Sequence, residues 1–295
     1  MKTDSTILYG ANEQFLAYIF EGGLIPSNSN IDKGRTGNGI TTAEIKADRH
    51  SIIVNPQLNT ILDKTAQSLD NGKNVISISS DYDSASEKQI LEFLLNELPC
   101  KKIFITPESM PVLMRIADSN GLGDLIRETY FLFLDESHCY ISDAFRDKIL
   151  LPFEYFFSFK EKAMASATAF PFSDARIKAL KQIKIVYPEL KRNVNVIYGK
   201  DPKSILLKMI EAGKFDGNLH VFFNSVTKIG NIVRSANLSE CSIYCADEVG
   251  NEAILGEEAK FMVIDRPQAS NRSRINFYTS RYAEGWDLLD SNATI

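Results

Sequence analysis

Apolar residues fall into two kinds of stretch along this chain. Ser51–Val54, Asn74–Ile78, Lys102–Thr106, Tyr130–Leu134 and Lys162–Ser166 are short, nearly continuous apolar runs. Between them, Leu58–Leu69, Ser84–Leu98 and Glu108–Asp118 space their apolar residues three or four apart, as Ile90, Leu91, Leu94 and Leu95 do. The short runs fit strands buried on both faces, and the spaced stretches fit amphipathic helices. Strands alternating with helices predict a parallel sheet covered on both sides. Upstream, residues 5–25 are expected to form an amphipathic helix around Phe15, Leu16, Tyr18, Ile19 and Phe20, closing at Gly22-Gly23.

Residues 187–198 look like a passage to a second unit, with a strand expected at Val194–Tyr198. The rhythm then restarts: helix at Ser204–Ala212, strand at Leu219–Phe223, helix at Thr227–Ala236. Further strands are expected at Ser242–Tyr244, Phe261–Ile264 and Ile275–Tyr278. The predicted organisation is two α/β domains, 1–190 and 191–295, with mostly parallel sheets, the second domain small or incomplete.

Composition narrows the class without naming an activity. A net charge of −5 over 295 residues gives no global basic footprint, so contact with nucleic acid would rest on local patches. The four cysteines, Cys100, Cys139, Cys241 and Cys245, do not form a disulfide framework in so long a chain, and Cys241 and Cys245 lack a second ligand pair for zinc. No apolar run reaches the roughly 20 residues of a membrane span, and the start has no signal-peptide core. The expectation is a cytoplasmic protein with no membrane partner.

The candidate chemistry begins at Gly34-Arg35-Thr36-Gly37-Asn38-Gly39-Ile40-Thr41-Thr42. This stretch has the glycine and hydroxyl spacing of a phosphate-cradling P-loop, but Ile40 occupies the lysine slot. Glycines let such a loop wrap phosphates with its backbone N–H groups, and Thr41 is placed to hold Mg²⁺. Asp135-Glu136-Ser137-His138 follows five apolar residues and so falls at the carboxyl end of a strand, where α/β sheets bind ligands. There Asp135 can bind Mg²⁺ and Glu136 can orient or deprotonate an attacking water. Ser166, with Ala167 and Thr168, ends the next strand and can reach the region of His138.

Taken in order, these elements resemble the superfamily 2 helicases and their DEAD/DEAH-box relatives. The P-loop motif is similar to Gly34–Thr42, the strand-plus-proline element to Ile52–Pro56, and the Thr-Pro-Glu element to Thr106-Pro107-Glu108. The acidic box resembles Asp135–His138 and the Ser-Ala-Thr motif Ser166–Thr168. Val221–Ser225 looks like the opening of the second domain, and Thr279–Asp287 resembles the Thr…Gly-x-Asp motif.

The resemblance implies two tandem RecA-like (P-loop NTPase) domains that bind ATP and Mg²⁺ and a DNA or RNA strand. Carried over, Gly34, Thr36, Gly37, Asn38, Gly39, Thr41 and Thr42 would line the nucleotide, joined by Gly285 and Asp287 from the second domain. Thr41 and Asp135 would hold the metal. Glu136 would position water, and His138, Ser166 and Thr168 would couple the sites.

Two departures bear on activity. Ile40 removes the phosphate-binding lysine, and Lys33 and Arg35 are expected to be solvated loop residues rather than substitutes for it. No paired-arginine motif follows Asp287, as expected of a fragment or of a degenerate relative. The expected function is a helicase-like, nucleic-acid-dependent ATPase; the alternative is a catalytically inactive RecA-like module that binds nucleotide or nucleic acid, or acts as a scaffold.

Overall fold

The computed structural model describes residues 5–10, 19–79, 84–142, 148–168, 170–188, 196–213, 215–246, 249–264, 272–279, 282, 290 and 293–294. The chain divides into two compact units, Met1–Lys191 and Arg192–Ile295.

The first unit carries eight strands: β1 (Ser5–Tyr9), β2 (Ser29–Asp32), β3 (His50–Val54), β4 (Val75–Ile78), β5 (Lys102–Ile105), β6 (Tyr130–Leu134), β7 (Glu161–Ser166) and β8 (Lys181–Val186). Its helices are α1 (Ile40–Lys46), α2 (Leu58–Asp70), α3 (Glu87–Leu95), α4 (Met110–Ser119), α5 (Gly123–Thr129), α6 (Cys139–Ser142), α7 (Pro152–Phe156) and α8 (Ala175–Lys178). The strands form one sheet in the order β1-β8-β2-β7-β6-β3-β5-β4, and every pairing is parallel.

Each central apolar run is split by residue parity between two cores. Ile52 and Val54, Ile103 and Ile105, and Leu132 and Leu134 point to one side, where α3, α4 and α5 contribute Ile90, Leu113 and Ile126. Ile53, Phe104, Phe131 and Phe133 point to the other, where they meet Ile40 of α1 and Ile61 of α2. A strand flanked by two apolar layers needs an unbroken apolar sequence, and that is why these runs do not alternate.

The sheet is anchored to α1 by a buried lysine. Lys102 is fully buried, and its three Nζ–H donors face four acceptors: the carbonyls of Glu44 (2.6 Å), Ala47 (3.0 Å) and Arg49 (3.0 Å) and Ser51 Oγ (2.9 Å). A cation here meets the carbonyl-rich end of α1. Burial pulls the Lys102 ammonium down to about 8, with the neighbouring Glu44 carboxylate opposing that shift. Glu44 in turn binds Arg49 at 2.5 Å, and Arg49 lies over the Phe131 ring.

The second unit is a five-stranded parallel sheet in the order β11-β10-β12-β9-β13. Its strands are β9 (Asn218–Phe222), β10 (Ser242–Tyr244), β11 (Met262–Val263), β12 (Ile275–Tyr278) and β13 (Ala293–Thr294), with helices α9 (Pro202–Glu211), α10 (Val226–Ser235) and α11 (Val249–Leu255). Leu219, Ile243 and Phe277 join one core with Ile229 and Val233 of α10. Residues of opposite parity, Tyr244 and Tyr278, stack at 4.9 Å. Buried His220 contacts Tyr278 Oη through Nδ1 and Asp290 Oδ2 through Nε2, each at 3.0 Å.

Two sequence expectations are corrected. Residues 5–9, expected in a helix, form the edge strand β1, because Ile7 pairs with Lys184 in β8 and the backbone bonds of that edge outweigh local helical spacing. Of the helix expected over 5–25, residues 11–18 lie outside the described set, and Glu21–Gly23 is a single 3₁₀ turn. Residues 196–198, expected in a strand, have no regular structure and are exposed, so no partner strand rewards extension there. Among the described residues, no helix is long and apolar enough to cross a membrane.

Lys102→Met is expected to lower the unfolding free energy of the first unit by about 3–5 kcal/mol, since it strips a partner from a buried charged cluster. Urea denaturation measures this, and a loss below 1 kcal/mol would contradict the anchoring role.

Candidate functional site

Five strands of the first sheet deliver the candidate residues to one edge. Lys33 follows β2, Asn55 follows β3, Thr106 follows β5, Asp135 follows β6, and Ser166 ends β7. Because all of these strands are parallel, their carboxyl ends lie together. The chain passes from β2 through α1 to β3 while β7 and β6 insert between those two strands. Such a reversal of strand order opens a crevice where the loops diverge.

The glycine loop is shaped by left-handed backbone. Gly34 (φ 68°), Gly37 (φ 68°) and Gly39 (φ 76°) all adopt conformations that side chains disfavour. A Cβ on Gly34 would lie 2.3 Å from the Ile185 carbonyl oxygen, so the chain can turn there only as glycine. A Cβ on Gly37 would meet nothing within 4 Å, leaving that part of the loop open toward a ligand. Thr36 is exposed, Thr41 and Thr42 are half-buried, and Asn38 is buried with its Nδ2 donating to the Lys33 carbonyl at 3.0 Å.

The loop and the acidic box are joined directly. Thr41 Oγ1 donates to Asp135 Oδ2 at 2.5 Å. Lys33 Nζ donates to Asp135 Oδ1 at 3.1 Å and to Glu136 Oε1 at 2.8 Å. Lys33 is 3% exposed, so the expectation of a solvated loop residue is wrong. Its strand, β2, is two strand spacings from β6, about 10 Å, and the lysine stem spans the end of β7 to reach the acids. Ile40, in the usual lysine slot, is instead 2% exposed and belongs to the apolar core. Arg35 stacks over the Tyr187 ring, 3.8 Å from its centre.

The charges separate the two acids. Burial alone would push the Asp135 carboxyl up, but the Lys33 ammonium, the Thr41 hydroxyl and the Glu136 amide hold it below the ordinary carboxylate range. Burial and the neighbouring Asp135 charge push the Glu136 carboxyl up, against Lys33 and His138. Burial disfavours the Lys33 ammonium, yet the two carboxylates hold its pKa above the ordinary lysine value. One acid is thus kept ionised beside another poised to exchange a proton, the arrangement that acid–base sites use. Glu136 also sits at φ 47°, a backbone strain of about 1–3 kcal/mol that accumulates at functional positions.

Beyond the acids, His138 Nδ1 lies 2.9 Å from Ser166 Oγ and 3.4 Å from Glu136 Oε2. Ser166 Oγ donates to the Thr168 carbonyl at 2.9 Å and accepts from the Thr168 amide at 2.9 Å. His138 Nδ1 is thus a third partner at Ser166 Oγ, beside the Thr168 amide and carbonyl. The structure therefore brings together Thr41, Asp135, Glu136, His138, Ser166 and Thr168. Gly285 and Asp287 lie outside the described residues.

Lys33 is the contact that sequence spacing missed. The only signal was a lysine at the strand end immediately before the glycine loop.

Gly34→Ala and Gly37→Ala separate packing from conformation in the loop. Gly37→Ala is expected to cost about 1–2 kcal/mol, the left-handed penalty alone. Gly34→Ala is expected to cost clearly more, because its Cβ collides with backbone. Thermal unfolding of the two variants checks the order, and equal losses would contradict the close approach to Ile185.

No protein-family model and no curated protein matches this sequence. Solved structures match its fold. A variant of S. cerevisiae Dbp5 bound to Gle1 and IP6 is 14% identical with a TM-score of 0.54, and the match covers 89% of this chain and 67% of that one. S. cerevisiae Dbp5 bound to RNA and ADP BeF3 is 16% identical with a TM-score of 0.51, covering 88% and 68%. The all-parallel sheets of eight and five strands are those of two RecA-like domains in tandem, and this chain shares the fold of these two Dbp5 structures.

Proposed function

We propose that this chain is a helicase-like, nucleic-acid-dependent ATPase whose nucleotide site is built on the first unit. The observation that carries the proposal is the contact of Thr41 Oγ1 with Asp135 Oδ2 at 2.5 Å, which joins a glycine loop to an acidic box. The donor set fits the group: one hydroxyl and one ionised carboxylate, beside an open loop, suit a magnesium ion that keeps most of its waters and shares phosphate oxygens. When bound, Mg²⁺ would supply charge neutralisation on the phosphates. Thr41 and Asp135 would hold it, and Gly34, Thr36, Gly37, Asn38, Gly39 and Thr42 would cradle the phosphates.

The residues around that contact divide the remaining work. Glu136, with its carboxyl pushed up by burial, would orient a water and accept its proton at a carboxylate oxygen. His138 bonds Ser166 and faces Glu136, so a change at Glu136 has a route to the end of β7. Support for a nucleic-acid partner comes from the shared fold: a structure with this architecture, S. cerevisiae Dbp5, was solved with RNA and ADP BeF3. In this chain, Ile52–Pro56 and Thr106–Glu108 would meet the strand from the same sheet edge.

ATP turnover with and without single-stranded RNA or DNA tests the proposal. Turnover stimulated by nucleic acid, and reduced at least a hundredfold by Glu136→Gln, is expected; removing a group that acts in proton transfer costs about 10²–10⁴. Mg²⁺·ATP binding with no turnover in any condition would contradict the ATPase and leave an inactive nucleotide-binding module.

A further inference from the structure

We propose that Lys33, which lies outside the glycine loop, is the cation that engages the outer phosphates of the bound nucleotide. This rests on the nucleotide-site proposal above and assigns the residue that completes it. The usual position cannot serve, because it holds an uncharged isoleucine, Ile40, that is buried in the same apolar core as Ile31, Ile53 and Phe131. Arg35 is committed to the ring of Tyr187. Lys33 lies seven positions upstream of Ile40 in sequence, yet its ammonium reaches the carboxylates proposed to manage metal and water.

Three features distinguish this lysine from a simple neutraliser. An ammonium has three donors, and among the described residues two of them are used, on Asp135 and Glu136. Its backbone is fixed from both sides, with its N–H donating to the Ser166 carbonyl at 2.7 Å and its own carbonyl accepting from Asn38 of the loop. Two acids and one ammonium also leave the cluster without surplus positive charge, so an arriving phosphate chain and its metal would compete for the same lysine. Lys33 would then exchange part of its contact with the carboxylates for a phosphate oxygen. Its tie to Ser166 gives that exchange a path toward His138.

Binding of mant-ATP with Mg²⁺, followed by fluorescence, tests this on four proteins: the unaltered chain, Lys33→Met, Glu136→Gln, and the double variant. Lys33→Met is expected to weaken binding about tenfold to a hundredfold, the scale of one charge-assisted contact. Glu136→Gln should bind at least as tightly as the unaltered chain. The double variant removes one negative charge along with the lysine, so its melting temperature should recover while its affinity stays low. If either variant lacking Lys33 binds like the unaltered chain, Lys33 only neutralises the carboxylates and the assignment is overturned. Failure of the unaltered chain to bind mant-ATP would instead overturn the nucleotide site, and the assignment with it.

Discussion

Two adjacent carboxylates at the end of a fully buried strand need a cation, and the architecture of the first unit is arranged around supplying one. Asp135 is 2% exposed and follows five consecutive buried residues of β6, so water cannot satisfy it. Lys33 does so from two strands away, and the same reach ties the glycine loop, the acidic box and the end of β7 into one cluster. Without that ion pair, Asp135 would be held by the Thr41 hydroxyl and the Glu136 amide alone. A buried ion pair is weak evidence for stability, because the cost of desolvation offsets much of its attraction. Its location beside a strained Glu136 points to chemistry instead.

The parallel sheet makes such a cluster possible. Its parity rule sends alternate apolar residues of β3, β5 and β6 into two separate cores, which leaves little of these strands for polar work beyond Lys102 and the Ser51 it bonds. The candidate site is built at the carboxyl ends of the strands, from Ser166 and from residues that follow them. The lysine in β5, Lys102, is the exception that maintains the rule, since it spends its donors on the carbonyl end of α1 and holds the helix that follows the glycine loop. The second unit repeats the parity with a different filling. One face of its sheet buries Leu219, Ile243 and Phe277, and the other carries Tyr244, Tyr278 and the His220–Asp290 pair.

Much of this was legible in the sequence because it depends on local pattern. Asp135 and Ser166 could be placed at strand ends from the length of the apolar runs before them, and the loop from its glycines. What escaped depends on tertiary partners. Lys33 gave no periodic signal, and its burial follows from the insertion of β6 and β7 beside β2, which no local pattern reveals. The strand at Ser5–Tyr9 is an edge whose apolar Ile7 and Tyr9 stay exposed, so its pattern resembled that of an amphipathic helix. Ile40 reads as a defect in a phosphate loop, but in the fold it is a core residue, and the ammonium beside the acidic box belongs to Lys33.

The most direct measurement is a crystal structure of this chain with Mg²⁺ and ADP·BeF3. The account predicts Lys33 Nζ within hydrogen-bonding distance of a β-phosphate or fluoride position, with Thr41 and Asp135 about the metal and Ile40 still in the core. A nucleotide bound at this loop with Lys33 held only by Asp135 and Glu136, or one bound elsewhere on the chain, would contradict it.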